Sequence, residues 1–289
     1  MKWQKRYEQG LQGKTVVLFG ATGGIGQELC RYILTLGGML VTVDRNKEKA
    51  AALTATLRKE FPQGKIQNLF ADLADTESVK SLAEQLKKLE IDLLVHNAGA
   101  YSVPRFTTSL GLDNVFQINF AAPYYITRQL LPLLEKRQGR VIAVGSIAHT
   151  YSKTDWSDTD FATRKKASLV YGNAKRYLMY AFLELSRAHP GVAFSVTHPG
   201  ITFTNITNHY PKLIFAIIKH PMKVIFMPPR CAALNIVKGM FDSTEPYSWI
   251  GPRFFDIWGS PKKKPLKTAS AAEIQRIFEK AQQIYGLWL

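Results

Sequence analysis

The stretch Lys14–Asp44, KTVVLFGATGGIGQELCRYILTLGGMLVTVD, constrains the rest of the chain. An apolar run, Val16–Phe19, ends in the cluster Gly20-Ala21-Thr22-Gly23-Gly24-Ile25-Gly26. Ile25, Leu29, Tyr32, Ile33 and Leu36 then recur at helical spacing, and a second apolar run, Met39–Val43, ends in Asp44. A strand that is apolar throughout is covered on both faces, as in a parallel sheet. Glycines after it let the backbone approach a pyrophosphate, and the following helix points unpaired N–H groups and a positive dipole end at the phosphates. Asp44 falls near the spacing of the acid that accepts hydrogen bonds from an adenosine ribose. A turn that binds nothing would not need strand, helix and acid all in register.

The same alternation continues. Helical periodicity spans Glu48–Phe61 and ends at Pro62-Gln63-Gly64, and Lys65–Ala71 reads as a strand. A helix follows over Glu77–Leu89, with Asp75 or Thr76 as its N-cap. Ile91–Val95 is a fourth strand, and Leu112–Lys136 a long helix in which Pro123 and Pro132 mark kinks or ends. Arg140–Val144 and Val192–Thr197 are further strands, separated by a polar loop and a helix from about Ser168 to Ala188. This pattern predicts one α/β domain, a doubly wound parallel sheet flanked by helices. Met1–Gly13 reads as a surface arm and 260–289 as a C-terminal extension with a helix near Ala271–Tyr285. Ligands of such sheets sit at the carboxyl ends of the strands. The unusual polar and glycine clusters fall there: Gly20–Gly26, Asp44, Asp72, Asn97–Gly99, Ser146 and Pro199-Gly200.

Tyr171-Gly-Asn-Ala-Lys175 puts a phenol and an amine on one helical face, and Ser146 ends the preceding strand. Hydride transfer to a carbonyl makes an alkoxide that must receive a proton; the reverse reaction needs a base. A free phenol, with a pKa near 10, is too weakly acidic to be that base at neutral pH. A neighbouring ammonium favours the phenolate, and a serine hydroxyl can hold the substrate oxygen meanwhile.

These motifs together resemble the short-chain dehydrogenase/reductase family over nearly the whole chain. The family's glycine motif matches Gly20, Gly24 and Gly26, its Asn-Ala-Gly motif Asn97-Ala98-Gly99, its adenine-side acid Asp72, and its Pro-Gly motif Pro199-Gly200 with Thr204 following. The resemblance implies a Rossmann fold, a nicotinamide cofactor and a tetrad of Asn119, Ser146, Tyr171 and Lys175. In it Tyr171 is the general acid/base, Lys175 lowers its pKa and binds the nicotinamide ribose, Ser146 orients the substrate oxygen, and Asn119 holds a relay water. The cofactor set is Gly20, Thr22, Gly23, Gly24, Ile25, Gly26, Asp44, Arg45, Asp72, Leu73, Asn97, Ala98, Gly99, Tyr171, Lys175, Pro199, Gly200, Ile201 and Thr204. Phe19 and His96 depart from the family's usual residues, and His96 reads as a strand-end packing residue. Ser146-Ile-Ala-His149 with its long following loop, and Pro228-Pro-Arg-Cys-Ala-Ala before a helix, are similar to the retinol-dehydrogenase-like branch. That implies lipophilic alcohols, aldehydes or ketones as substrates. Asp44 favours NAD, since an anion facing a 2′-phosphate is costly in a partly buried pocket; Arg45 would pair with that phosphate and leaves NADP open.

Residues 203–228 stand where the family places its substrate lid. Lys212–Met227 is apolar but interrupted by Lys219, His220, Pro221 and Lys223, too short and broken to span a membrane. It reads equally as a lid whose lysines touch a membrane surface and as a packed helix pair. The formal charge of +16 and pI near 9.8 fit anionic partners. The basic residues are scattered and no nucleic-acid module is recognisable, so no nucleic-acid partner is expected. Cys30 and Cys231 read as small core residues, with no disulfide or metal site and a reducing, cytoplasmic setting. The family is often dimeric or tetrameric through its long helices, so a homo-oligomer is expected. The rival is a catalytically silent nucleotide-binding sensor or scaffold.

Overall fold

The computed structural model describes residues 10–202, 226–244 and 247–289. Its strands are β1 (Thr15–Phe19), β2 (Met39–Asp44), β3 (Ile66–Phe70), β4 (Leu93–His96), β5 (Arg140–Val144), β6 (Ala193–Thr197), β7 (Ser248–Phe254) and β8 (Trp258–Pro265). They form one sheet in the order β3-β2-β1-β4-β5-β6-β7-β8, parallel except for β8. The order reverses between β1 and β4, which opens a crevice at their carboxyl ends. The helices are α1 (Gly24–Thr35), α2 (Lys47–Glu60), α3 (Thr76–Leu86), α4 (Ala122–Lys136), α5 (Ala167–Ala188), α6 (Pro229–Phe241) and α7 (Ala271–Gly286).

The strand alternation separates two cores. Val17, Phe19, Val41 and Val43 face a layer containing α3, α4, α5 and α7. Val16, Leu18, Leu40 and Val95 face α1, α2 and α6. Apolar side chains cover β1 on both faces, which is why it reads as a continuous hydrophobic run. Asp75, not Thr76, caps α3, its Oδ1 accepting from the backbone N–H groups of Glu77 and Ser78.

Several expectations change. The long helix over Leu112–Lys136 begins at Asn114, capped by Asp113, and passes through a π-helical turn, Gln117–Ala121, into α4. The cause is Pro123. Its ring would meet the Asn119 carbonyl in a regular helix, and widening the preceding turn relieves that clash. Pro132 lies inside α4 without ending it. The expected N-terminal arm is partly docked: Leu11 is buried, and its N–H donates to the Leu36 carbonyl at 3.0 Å. Cys30 is buried as expected, but Cys231 is exposed on α6 and is no core residue. The hairpin β7–β8 was not anticipated, and it carries part of the expected C-terminal extension into the sheet. Residues 203–225 of the expected lid lie outside the described residues. The two residues that follow them, Phe226 and Met227, are described, and the Met227 N–H donates to the Ile201 carbonyl at 2.9 Å.

α7 packs across α5 and α4. Arg176 pairs with Glu273 at 2.8 Å, and Trp288 stacks on Tyr125 with ring centroids 4.5 Å apart. Tyr285 accepts a hydrogen bond from Gln129 at 2.7 Å. The chain's own C-terminus thus covers part of the long-helix face through which the resemblance implied oligomers. No described helix is long and apolar enough to cross a membrane. Among the described residues, no group of three or more His, Cys, Asp or Glu is placed to hold a metal.

Candidate active site

The glycine turn is shaped by close backbone approach. Gly20 has φ +76°, and a Cβ there would stand 2.8 Å from the Ala98 Cα; one on Gly26 would stand 2.0 Å from the Gly20 carbonyl oxygen. No side chain could occupy either place. Asn97 locks the arrangement from β4, donating from Nδ2 to the carbonyls of Phe19 and Gly20 at 3.3 and 3.1 Å. α1 starts at Gly24 with Gly23 as N-cap, no capping side chain and no acid in its first turn. Its first N–H groups and dipole are therefore available to an anion.

Asp44 ends β2, as expected, but turns inward. Its Oδ1 accepts from the Thr22 N–H at 2.9 Å and the Thr22 hydroxyl at 2.8 Å. Its Oδ2 is buried with no hydrogen-bond partner, and the residue is 4% exposed. Burial raises the Asp44 pKa and the Thr22 donors oppose the rise. Arg45 beside it is 74% exposed and lies 3.6 Å from Asp72 Oδ2. Asp72 also accepts from the Ala74 N–H, and the Leu73 carbonyl accepts from Gln117 Nε2 at 3.1 Å.

Four further residues meet beyond the ends of β4 and β5. The π-turn aims Asn119 inward. Its Nδ2 donates to the carbonyls of Ala100 and Val115, both at 2.8 Å, while its Oδ1 is buried and unpaired. A Cβ on Gly99 would lie 2.8 Å from that Oδ1 and 3.7 Å from Lys175 Nζ, so Gly99, Asn119 and Lys175 share one spot. Lys175 is buried, donates to the Val144 carbonyl at 2.9 Å, and lies 5.6 Å from the centre of the Tyr171 ring. Burial pulls its pKa down to about 7. The Tyr171 phenol is pushed the other way, up to about 12, by burial, and the Ser146 hydroxyl beside it opposes that rise. Ser146 also accepts from the Ala148 N–H at 3.2 Å, capping the short turn Ile147–Tyr151. Burial thus acts on both groups, raising the phenol and lowering the amine.

The sheet order and the glycine turn fix a fold class, and comparison with known proteins decides the family. The profile described as short chain dehydrogenase matches residues 14–212. The chain is 30% identical to human retinol dehydrogenase 13 over 296 residues, covering 96% of this chain and 86% of that protein. The chain belongs to the short-chain dehydrogenase/reductase family. Within it the likeness is to the retinol-dehydrogenase-like branch. Mouse polyprenol dehydrogenase is 26% identical, over 91% of this chain and 81% of that one. A solved Pseudomonas aeruginosa RhlG/NADP active-site complex superposes with a TM-score of 0.62 at 26% identity, covering 82% of this chain and 94% of that one.

Three further residues adjoin this dehydrogenase's site without a role in it having been read from the sequence. Tyr101 sets its ring edge-on against Tyr171, centroids 5.3 Å apart. His149 is buried with Nδ1 at 2.6 Å from the Ser146 carbonyl oxygen, and it meets Trp249 edge-on; His198 stacks on the same indole at 5.1 Å. A histidine three residues past Ser146 was visible, but its partner on β7 was not. His96 packs between Phe19 and Phe182 and bonds Thr127 at 2.8 Å, as its strand-end position suggested. Gly200 has φ +88° in the Pro199-Gly200 turn after β6, with Ile201 following; Thr204 lies outside the described residues.

Proposed function

We propose that this oxidoreductase interconverts a lipophilic alcohol and its carbonyl with a nicotinamide cofactor, Tyr171 exchanging the proton. The observation that carries the reading is the meeting of Tyr171, Ser146, Lys175 and Asn119 beside the glycine turn, at one crevice.

The residues present suit a dinucleotide. The turn leaves room for no side chain, α1 starts uncapped, and two buried acceptors, Asp44 Oδ2 and Asn119 Oδ1, have no protein partner. Gly20–Gly26 would hold the pyrophosphate, Asp72 and Leu73 the adenine edge, Asn97–Gly99 and Lys175 the nicotinamide ribose, and Pro199–Ile201 the nicotinamide. Bound there, the cofactor supplies or accepts the hydride. Ser146 holds the substrate oxygen. Tyr171, with its pKa near 12, is a neutral phenol at physiological pH and is ready to donate to an alkoxide. Lys175, poised near pH 7, can then return a proton to the phenolate.

Human retinol dehydrogenase 13 and mouse polyprenol dehydrogenase are named for apolar alcohols, and the Tyr101 ring packs edge-on against the Tyr171 ring beside the site. Both support a lipophilic substrate. For the cofactor, the Asp44 charge is half-satisfied by Thr22 and buried, while the Arg45 guanidinium is exposed at the rim. That balance admits NADP, with Arg45 on the 2′-phosphate. A screen of alcohols and carbonyls with NAD and NADP, following nicotinamide absorbance, tests the reading. Turnover of apolar carbonyls supports it. Cofactor binding without turnover of any substrate would return the protein to the sensor reading.

A further inference from the structure

The β7–β8 hairpin carries chemistry that the oxidoreductase site does not use. Between Tyr247 and Ser270 stand five basic residues, Arg253, Lys262, Lys263, Lys264 and Lys267, against one acid, Asp256. That acid is taken up locally, its Oδ1 2.7 Å from Lys264 Nζ. The segment is therefore strongly cationic on a chain whose formal charge is already +16.

The hairpin tip is apolar. Phe254 is 57% exposed, Phe255 89% and Trp258 37%. Scattered exposed apolar side chains need no explanation, but three rings on one projecting tip do. The backbone adds a second observation. The Ile257 N–H closes the turn on the Phe254 carbonyl at 3.0 Å, and its two central residues, Phe255 and Asp256, have φ +50° and +58°. Turns of that kind favour Asn-Gly or Asp-Gly, because a side chain at positive φ is strained. Phe255 is thus unfavourable twice, in its backbone and in its exposure. Strain retained at an exposed aromatic points to a use for the ring.

Behind the tip, a cleft of about 670 Å³ opens between the hairpin and α7, with Leu266 and Ile274 in its wall and Lys263, Lys264 and Lys267 around it. The tip also adjoins the active site. A Cβ on Gly200 would stand 2.9 Å from the Ile257 carbonyl oxygen, and His198 Nε2 lies 3.0 Å from the Asp256 carbonyl oxygen.

We propose that the β7–β8 hairpin docks this protein on an anionic lipid bilayer, with Phe254 and Phe255 entering the headgroup layer and the exposed Lys262 and Lys263 of β8 meeting lipid phosphates. Charge complementarity selects the partner: lysines near an anionic leaflet are attracted, and aromatic rings settle at its interface. A second copy of this chain would bring like charge to like. Single-stranded nucleic acid is bound by rings lining a groove that tracks the backbone, whereas these rings project. The docking also sets the Pro199-Gly200 turn, and the crevice beside it, toward the lipid. It stands without the substrate reading, since binding is measured with neither substrate nor cofactor.

Cosedimentation of the full chain with phosphatidylcholine vesicles, with and without phosphatidylserine, tests this. The expected result is binding to the phosphatidylserine vesicles that weakens with salt and is at least about tenfold poorer on phosphatidylcholine alone. Phe255→Asn should lose binding while its melting temperature holds or rises, because asparagine suits the turn. Lys262→Glu/Lys263→Glu should lose binding as well, and both variants should still turn over a small water-soluble carbonyl at the wild-type rate. Equal vesicle binding by wild type and both variants, or no binding by wild type, would overturn the proposal. So would tighter binding to single-stranded DNA than to vesicles, lost in the same variants.

Discussion

Asp44 and Thr22 hold each other across the glycine turn: one carboxylate oxygen accepts both the N–H and the hydroxyl of Thr22, at 2.9 and 2.8 Å. The acid that ends β2 is therefore first a strut of the phosphate-binding loop. Its second oxygen is buried behind the turn. Asp44→Ala should accordingly weaken NAD and NADP alike and lower stability by about 1 kcal/mol, since a part-buried donor pair loses its acceptor. Arg45→Ala should lower kcat/KM for NADP about tenfold and leave NAD within about twofold, the loss of one exposed charge-assisted contact. Parallel kinetics with both cofactors distinguish the two; a switch toward NADP in Asp44→Ala would assign the carboxylate to the ribose instead.

Gly99 sits directly against the tetrad amide. A methyl group there would press on Asn119 Oδ1 at 2.8 Å, and that amide is tied through its nitrogen to two carbonyls. Gly99→Ala should lower kcat by at least about tenfold, because small misplacements at a reacting centre are expensive in rate. Little change in melting temperature is expected. Unaltered kcat would show that Asn119 tolerates displacement.

Acid should destabilise the fold through two buried imidazoles. Burial pushes the pKa of His96 down to about 3 and that of His198 down to about 4, against 6.5 for an exposed histidine. Below pH 6.5 the unfolded chain therefore binds protons that the native state refuses, and stability falls with pH until these lower values are reached. Urea unfolding between about pH 7 and about pH 5 should show the decline, and His96→Phe should remove part of its slope. An identical slope in the variant would place the acid sensitivity elsewhere.

The C-terminal helix is structural. Trp288 is buried on Tyr125, and Tyr285 lies against Tyr124, Tyr125 and Arg128. Trp288→Ala should lower stability by about 3–5 kcal/mol, in the range for large-to-small core changes, as read from denaturant midpoints. A loss below about 1 kcal/mol would mean the helix end is only loosely docked.

Much of this architecture was legible because it rests on local rules. The strands β1, β2, β4, β5 and β6 are largely buried and mostly apolar, Gly20, Asn97, Ser146 and Pro199 fall where strands end, and Tyr171 and Lys175 lie one helical turn apart on α5. The hairpin was not legible. Gly251, Pro252, Gly259 and Pro261 argue against strands, and β8 is an edge strand whose lysines and prolines hide any apolar alternation. The π-turn was missed because Gln117-Ile-Asn-Phe-Ala is ordinary helix composition; only Pro123 signalled trouble, and it could equally have marked a helix start. The turn of Asp44 toward Thr22 depends on a rotamer, and the pKa values of Tyr171 and Lys175 depend on burial, neither of which spacing reveals.

The central claim is that the Tyr171 hydroxyl moves the proton. Its most direct test is Tyr171→Phe, with cofactor binding read by tryptophan quenching and turnover by nicotinamide absorbance. The account predicts unchanged cofactor affinity and a loss of kcat of at least about a hundredfold, the contribution of a positioned acid. Turnover within about twofold of wild type would contradict it.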